Sequence, residues 1–171
     1  MADEIPLANT PKGGWRGELP RPILAGCTEP LHPEAPDLRG LWQAVEVERE
    51  GQVLTEHHLN HHLERVEQCG NRVVITSEGV IHDMRADGTL ENGVNDVAGA
   101  NLDQRISVAA VFKEGRLDLH PFGIQADKPP MVTREILDGM MIWRYGPFKV
   151  TMRRVGDVSE ETPGHQGKAQ L

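Results

Sequence analysis

Ile106-Ser107-Val108-Ala109-Ala110-Val111-Phe112-Lys113-Glu114-Gly115-Arg116-Leu117-Asp118-Leu119-His120 is the stretch whose reading decides the fold. In an extended chain Ile106, Val108, Ala110 and Phe112 fall on one face, and Ser107, Ala109, Val111 and Lys113 on the other. The first stripe is apolar throughout and must point inward. Glu114-Gly115 then supplies a tight turn, after which the chain resumes as a second short extended segment.

Working outward, the same signal repeats at Glu50-Gly51, Cys69-Gly70-Asn71, Glu78-Gly79, Asp87-Gly88, Asn92-Gly93, Asp138-Gly139 and Tyr145-Gly146-Pro147. Turns roughly 8–12 residues apart are the spacing of an all-β barrel or sandwich. Strands are predicted at 41–49, 61–68, 71–77, 80–86, 105–113, 116–120, 131–137, 140–145 and 148–155, with 52–60 readable as a strand or as one turn of helix. Short loops and no crossover helices favour an up-and-down antiparallel sheet, and closing it removes two exposed edges. The expected fold is therefore an all-β, up-and-down antiparallel barrel of about 8–10 strands. Ala110 and the unbranched Met84, Met131, Met140, Met141 and Met152 would leave an adaptable lumen where they face inward, or simply fill core gaps.

The barrel is expected to span residues 38–155. Seven of the 12 prolines lie in residues 1–37, which read as an irregular arm with three basic and six acidic residues. Charge and composition predict a solvated arm, yet Trp15, Ile23 and Leu24 are apolar anchors that would let it lie across the domain. Residues 156–171, rich in Gly and acidic residues, read as a disordered tail. The 171-residue chain carries 18 Lys+Arg against 26 Asp+Glu, a net charge of −8, with no basic cluster to hold a phosphate backbone. Nucleic acid is an unpromising partner, and no apolar run approaches the roughly 20 residues of a membrane helix.

Leu24-Ala25-Gly26-Cys27 matches a lipoprotein cleavage box, but Asp3, Glu4, Lys12, Arg16, Glu18 and Arg21 interrupt the apolar run such a signal requires. Cys27 and Cys69 fit neither a disulfide framework nor a paired metal motif. A reducing, cytoplasmic setting is the default expectation, and one arm-to-barrel disulfide is the alternative.

Leu38-Arg39-Gly40-Leu41-Trp42 resembles the opening Gly-x-Trp strand of the calycin superfamily, the lipocalins and intracellular fatty-acid-binding proteins. At the other end, Val132-Thr133-Arg134-Glu135-Ile136-Leu137-Asp138-Gly139-Met140-Met141-Ile142 is similar to the Val-Arg-Glu-Leu-x-Asp-Gly-x-Leu-Ile hairpin of the fatty-acid-binding proteins. Asn71–Thr76, Asn92-Gly93-Val94 and Phe112–Leu117 fall at matching places between these ends. The chain departs from the family in two ways. Only Gly51 to Asn60 is available where the family has a helical lid, and no Tyr follows the arginines of Thr151-Met152-Arg153-Arg154-Val155. The resemblance implies a calycin-like barrel that carries a small apolar or amphipathic ligand.

The expected ligand-binding residues are Arg134, Arg154, His82, Met84, Phe112 and Met152. Arg134 shares a face with Val132 and Ile136: if that face is inside, a guanidinium there must find an acceptor or an anion to offset burial, and if instead Met131, Thr133, Glu135 and Leu137 are inside, Arg134 lies on the surface. The family places its carboxylate-holding Arg at this point. Arg154 shares a face with Phe148, Val150 and Met152, which alternate with the wetter Lys149, Thr151 and Arg153, so parity turns it inward unless it reaches water past the rim. Its spacing from Asp138 also resembles the family's second ligand Arg. His82 shares a face with Val80 and Met84, while His120, beside Arg116 and Asp118, is expected to be exposed. Within His57-His58-Leu59-Asn60-His61-His62, His58 and His62 could share a metal or haem on a helix or a strand, although a full site needs three or four ligands. No cofactor is expected, and no nucleophile elbow, phosphate loop or dinucleotide fingerprint appears. A barrel enzyme, an isomerase or hydrolase using His82 or a rim histidine, is the alternative to a binding protein.

Overall fold

The structure, a computed structural model, describes residues 1–159. It is all-β apart from one short 3-10 turn at Ala2–Glu4, and no helix of the described residues is long and apolar enough to cross a membrane. The strands are β1 (Gly40–Arg49), β2 (Gln52–Leu54), β3 (Leu63–Cys69), β4 (Arg72–Ser77), β5 (Val80–Arg85), β6 (Val94–Ala98), β7 (Asn101–Lys113), β8 (Arg116–Pro121), β9 (Val132–Leu137), β10 (Met140–Tyr145) and β11 (Phe148–Gly156). Every pairing is antiparallel, in the order β5-β4-β3-β1-β11-β10-β9-β8-β7-β6, with β2 paired to β1 alone. The result is an up-and-down, nearly closed ten-strand barrel. Two-residue turns make it so: at Glu114-Gly115 (φ 52° and 75°) and Asp138-Gly139 (φ 51° and 77°) both central residues are left-handed, the geometry whose twist matches the flanking strands.

Nine strands fall where the turn spacing predicts them. β6 does not, because Val94-Asn95-Asp96-Val97-Ala98 is short and polar and alternates only weakly. The ambiguous stretch 52–60 becomes the short β2 followed by turns, and the predicted stretch 61–68 begins as a strand only at Leu63.

The inward stripe of β7 is the expected one. Ala110 and Phe112 join Trp42, Ala44, Val66, Val73, Ile75, Met84, Leu117, Met141 and Met152 in one buried cluster that fills the end of the barrel where β1 begins. Of the five methionines, Met84, Met141 and Met152 lie inside, whereas Met131 is exposed and Met140 half-buried.

The sheet comes round without closing, because β5 and β6 share no ladder. Residues 1–37 do the rest, and of the two readings of the arm it is the one lying across the domain that is found. The arm crosses the outer face of β3, β4 and β5, where Leu24 and Ala2 bury against Cys69, Val74 and Ile81, with Trp15 and Ile23 packed alongside. Its irregular backbone finds hydrogen-bond partners in side chains of the sheet, as buried peptide groups must. Arg72 forms a bidentate pair with Asp83 (2.9 and 2.6 Å) and donates to the carbonyls of Ala2, Ile5 and Pro6. Asp83 accepts from Ala8 N, and Glu67 from Ile23 N and Leu24 N. At the open seam the Thr10 hydroxyl accepts from Ile81 N on β5 and donates to Ile81 O, while Thr10 N donates to Asp96 on β6. Further along, Gln68 holds Pro36 O and Leu38 N, and His32 stacks on Phe112 at 5.7 Å. This segment plugs the barrel floor, and Leu38 belongs to the core.

Cys27 and Cys69 are disulfide-bonded across 42 residues of chain, with Cα atoms 6.2 Å apart, so the arm-to-barrel alternative is the one found. Of the predicted tail, Gly156 ends β11, and residues 160–171 lie outside the described residues.

A cross-link of that loop length is worth about 4 kcal/mol in the chain-entropy picture, with about 2–4 kcal/mol typical of native bridges. Reduction, or Cys27→Ser, is expected to lower the urea unfolding midpoint accordingly and to expose the arm to limited proteolysis. An unchanged midpoint would show that the polar contacts hold the arm by themselves.

Candidate functional site

Above the packed floor the interior changes character. On β10 the inward residues are Met141, Trp143 and Tyr145, paired across to Met152, Val150 and Phe148 on β11 and to Ile136, Arg134 and Val132 on β9. Met141, Met152 and Val150 are buried, but Trp143, Tyr145, Phe148, Val132, Ile106 and Val108 pack on the core while remaining half-exposed. Inward-facing apolar residues that are only partly buried distinguish this end, the mouth, from the packed floor.

Arg134 lies at the bottom of the mouth and points inward, 5 % exposed. It has a partner that the sequence reading did not assign. Nε and Nη2 donate to Glu64 Oε1 and Oε2 at 3.3 and 3.4 Å, and Glu64 is 1 % exposed. Glu64 belongs to β3 and Arg134 to β9, with β1, β11 and β10 between them in the sheet, so the ion pair spans the lumen. His62 Nε2 donates to Glu64 Oε2 at 3.1 Å, and the Arg134 guanidinium lies over the Trp143 ring at 4.8 Å. Burial alone would push the Glu64 carboxyl up. The Arg134 charge and the His62 hydrogen bond outweigh it and hold the group down at about 2.

An aromatic row climbs from this pair to the rim. His62 meets Trp143 at 5.4 Å, Trp143 stacks on Tyr145 at 5.7 Å, Tyr145 on Phe148 at 5.4 Å, and Phe148 meets His57 at 5.0 Å. Leu59, buried in the core, anchors the 55–62 loop that carries both histidines over the mouth. Trp143 Nε1 is buried and has no hydrogen-bond partner.

The other expected site residues scatter. Arg154 sits at the floor end, half-exposed, donating to Arg39 O and to Asp157. It lines a groove at that end with Asp37, Arg39, Trp42 and Ile136. Parity on β11 holds and Arg154 still pairs with Trp42 on β1, but β11 has passed the end of its β10 ladder at Met152, which leaves Arg154 uncovered on that side. The expected two-arginine clamp is therefore corrected to one arginine and one resident glutamate. Met84, Phe112 and Met152 do face inward, yet all are fully packed in the floor cluster rather than lining open space. His82 is inward too, with Nε2 donating to Val97 O at 2.9 Å across the seam between β5 and β6. Burial lowers its pKa and favours the neutral imidazole. His120 is buried rather than exposed, since the chain after β8 folds back, with Gly123 N donating to His120 O and Met131 N to Leu119 O.

The histidine run is split by its turn. His62 engages Glu64, while His58 is exposed against His57 at 4.2 Å. Among the described residues no group of three or more His, Cys, Asp or Glu is placed to hold a metal ion.

Glu64 carries a depressed folded-state pKa, so its contribution to stability is full above the unfolded value of about 4.5 and is lost as pH falls toward about 2. The stability gap between wild type and Glu64→Gln, read from urea unfolding at pH 5, 4 and 3, is expected to narrow over that window. Parallel curves would show that Arg134 does not keep Glu64 ionised. Comparison with protein-family models, with curated proteins and with solved structures finds no match to this chain, so the function is argued from the site alone.

Proposed function

We propose that this protein is a non-enzymatic carrier or receptor for a small apolar or amphipathic ligand, held in the barrel mouth above the Arg134–Glu64 pair. The observation behind this reading is the half-exposed row of Trp143, Tyr145 and Phe148 on the inner face, opposite Ile106, Val108 and Val132. Aromatic faces kept on the inside of a barrel yet within reach of water are left to be covered by something that is not this chain's own core. The ten-strand meander with its break between β5 and β6 is compatible with a calycin-like ancestry, which belongs to the same proposal.

The barrel-enzyme alternative draws on His62 and Glu64, since a carboxylate can orient an imidazole for proton transfer. Binding is the better-supported reading because Glu64 is shared with Arg134, and that ion pair holds it as a fixed charge. Compartment is also a matter of proposal. The cytoplasmic expectation rested on unpaired cysteines, whereas an arm-to-barrel disulfide suits a chain that folds where thiols oxidise.

A solvatochromic naphthalene dye is expected to bind one per chain with enhanced emission. Phe148→Ser should weaken it by roughly 1.5–3 kcal/mol, the worth of burying such a side chain. Leu137→Ser, at an exposed position at the floor end, should leave it unchanged. Equal losses in the two variants, or no dye binding, would remove the mouth as the site.

A further inference from the structure

The mouth contains its own counter-ion, and that restricts what can enter. Resting on the ligand site proposed above, we propose that the ligand is an uncharged molecule with an apolar, flat body and one hydrogen-bond acceptor, and that Glu64 is the residue that excludes free carboxylic acids.

Three observations carry this. First, Arg134 Nε and Nη2 both donate to Glu64, and the two side chains are 6 % and 1 % exposed. An incoming carboxylate would meet a like charge a few ångströms away, or would have to displace Glu64 and strand it as a buried, unpaired anion. Second, an incoming ammonium group finds the Glu64 carboxylate already satisfied by Arg134 and His62, with the Arg134 charge beside it. Of the other ionisable groups here, Arg49 lies over the Phe148 ring at 5.7 Å and His57 meets it at 5.0 Å, both at the rim end of the row rather than beside Glu64. His82 is biased to its neutral form, and Asp96 faces the seam, where Thr10 N donates to it.

Third, Trp143 Nε1 is a buried donor without a partner, at the register position directly across from Arg134. A buried N–H left unpaired is destabilising, and a carbonyl, ester or ether oxygen on the ligand would relieve it once the partly buried Trp143 ring turns to admit it. The Trp143–Tyr145–Phe148 row supplies the flat apolar surface along which the rest of the ligand lies. Acceptor at the bottom, apolar body toward the rim, is the orientation this arrangement selects.

The test is competition against the bound dye with a matched naphthalene set: 2-acetylnaphthalene, 2-ethylnaphthalene, 2-naphthoate and 2-naphthylmethylammonium, at pH 7 on the oxidised full chain. The ketone is expected to bind about tenfold or more tighter than either ion, the size of one hydrogen bond or one close charge conflict. Trp143→Phe should abolish the ketone's advantage over ethylnaphthalene, the ring area lost being common to both. Glu64→Gln should raise naphthoate affinity about tenfold with little effect on the ketone, whereas Glu64→Gln combined with Arg134→Leu should not. The wild-type order needs no variant, so a folding defect in either does not shield the proposal. Naphthoate preferred over ketone in the wild type, or naphthoate unaffected by Glu64→Gln, overturns the exclusion of acids and leaves the mouth as a site. Binding by none of the four overturns the mouth itself.

Discussion

The unpaired edges of β5 and β6 are the constraint around which the rest of the molecule is arranged. An up-and-down sheet of ten strands needs its last strand to meet its first, and here the two ends approach without forming a ladder. Unpaired edge N–H and C=O groups cannot be left dry, and an open edge is also a template for association. The chain resolves this with the segment that precedes the barrel. Thr10 takes both backbone groups of Ile81 and reaches Asp96 on the opposite edge, His82 meets Val97 O, and Arg85 N meets Asn92 O lower down. The seam is stitched by single contacts instead of a ladder.

Sealing the seam from outside explains why so much charge is buried on the wrong side of the sheet. Arg65, Glu67, Arg72 and Asp83 all face away from the lumen, yet the arm covers them. A proline-rich segment cannot add itself as a regular strand, because its rings remove donors and its backbone does not follow a ladder. Side chains with fixed charge reach farther and tolerate irregular geometry. Arg72 therefore serves three arm carbonyls, and Glu67 serves two arm amides. The disulfide at Cys27 and Cys69 joins the same two parts covalently.

Inside, the Arg134–Glu64 pair lies between the packed cluster of the floor and the partly buried aromatic row. Buried ion pairs seldom stabilise a fold relative to apolar residues of the same size, so one that spans a lumen is a costly way to hold two walls together. Its placement at the lower limit of the aromatic row ties it to what the mouth does. The arginine expected from the hairpin motif is in the interior as anticipated, but its partner comes from the far wall. The sequence around Glu64 offered no signal for this. In Leu63-Glu64-Arg65-Val66-Glu67-Gln68 both faces carry charge, so alternation cannot say which face is inside. Trp143 was equally silent, although Met141, Trp143 and Tyr145 alternate on one face, because a lone aromatic on a strand is ordinarily core.

Local chemistry was sufficient to determine the strands and their handed turns, because both depend on neighbours in sequence. Two-residue X-Gly turns impose left-handed backbone, and period-two stripes such as Ile106, Val108, Ala110 and Phe112 choose a face without reference to anything distant. The same locality made nine strands readable, whereas the inward Arg134 was expected only from the resemblance of its hairpin. Only the tertiary structure decided what depends on pairing across space: the edge that stays open, the arm that covers it, the cysteines that meet, and the glutamate that answers Arg134. Parity fixes direction but not depth. Arg154 and Arg134 both obey it, and one ends in solvent while the other ends in the lumen, because how far a strand runs past the barrel is set by its partners and not by its own residues.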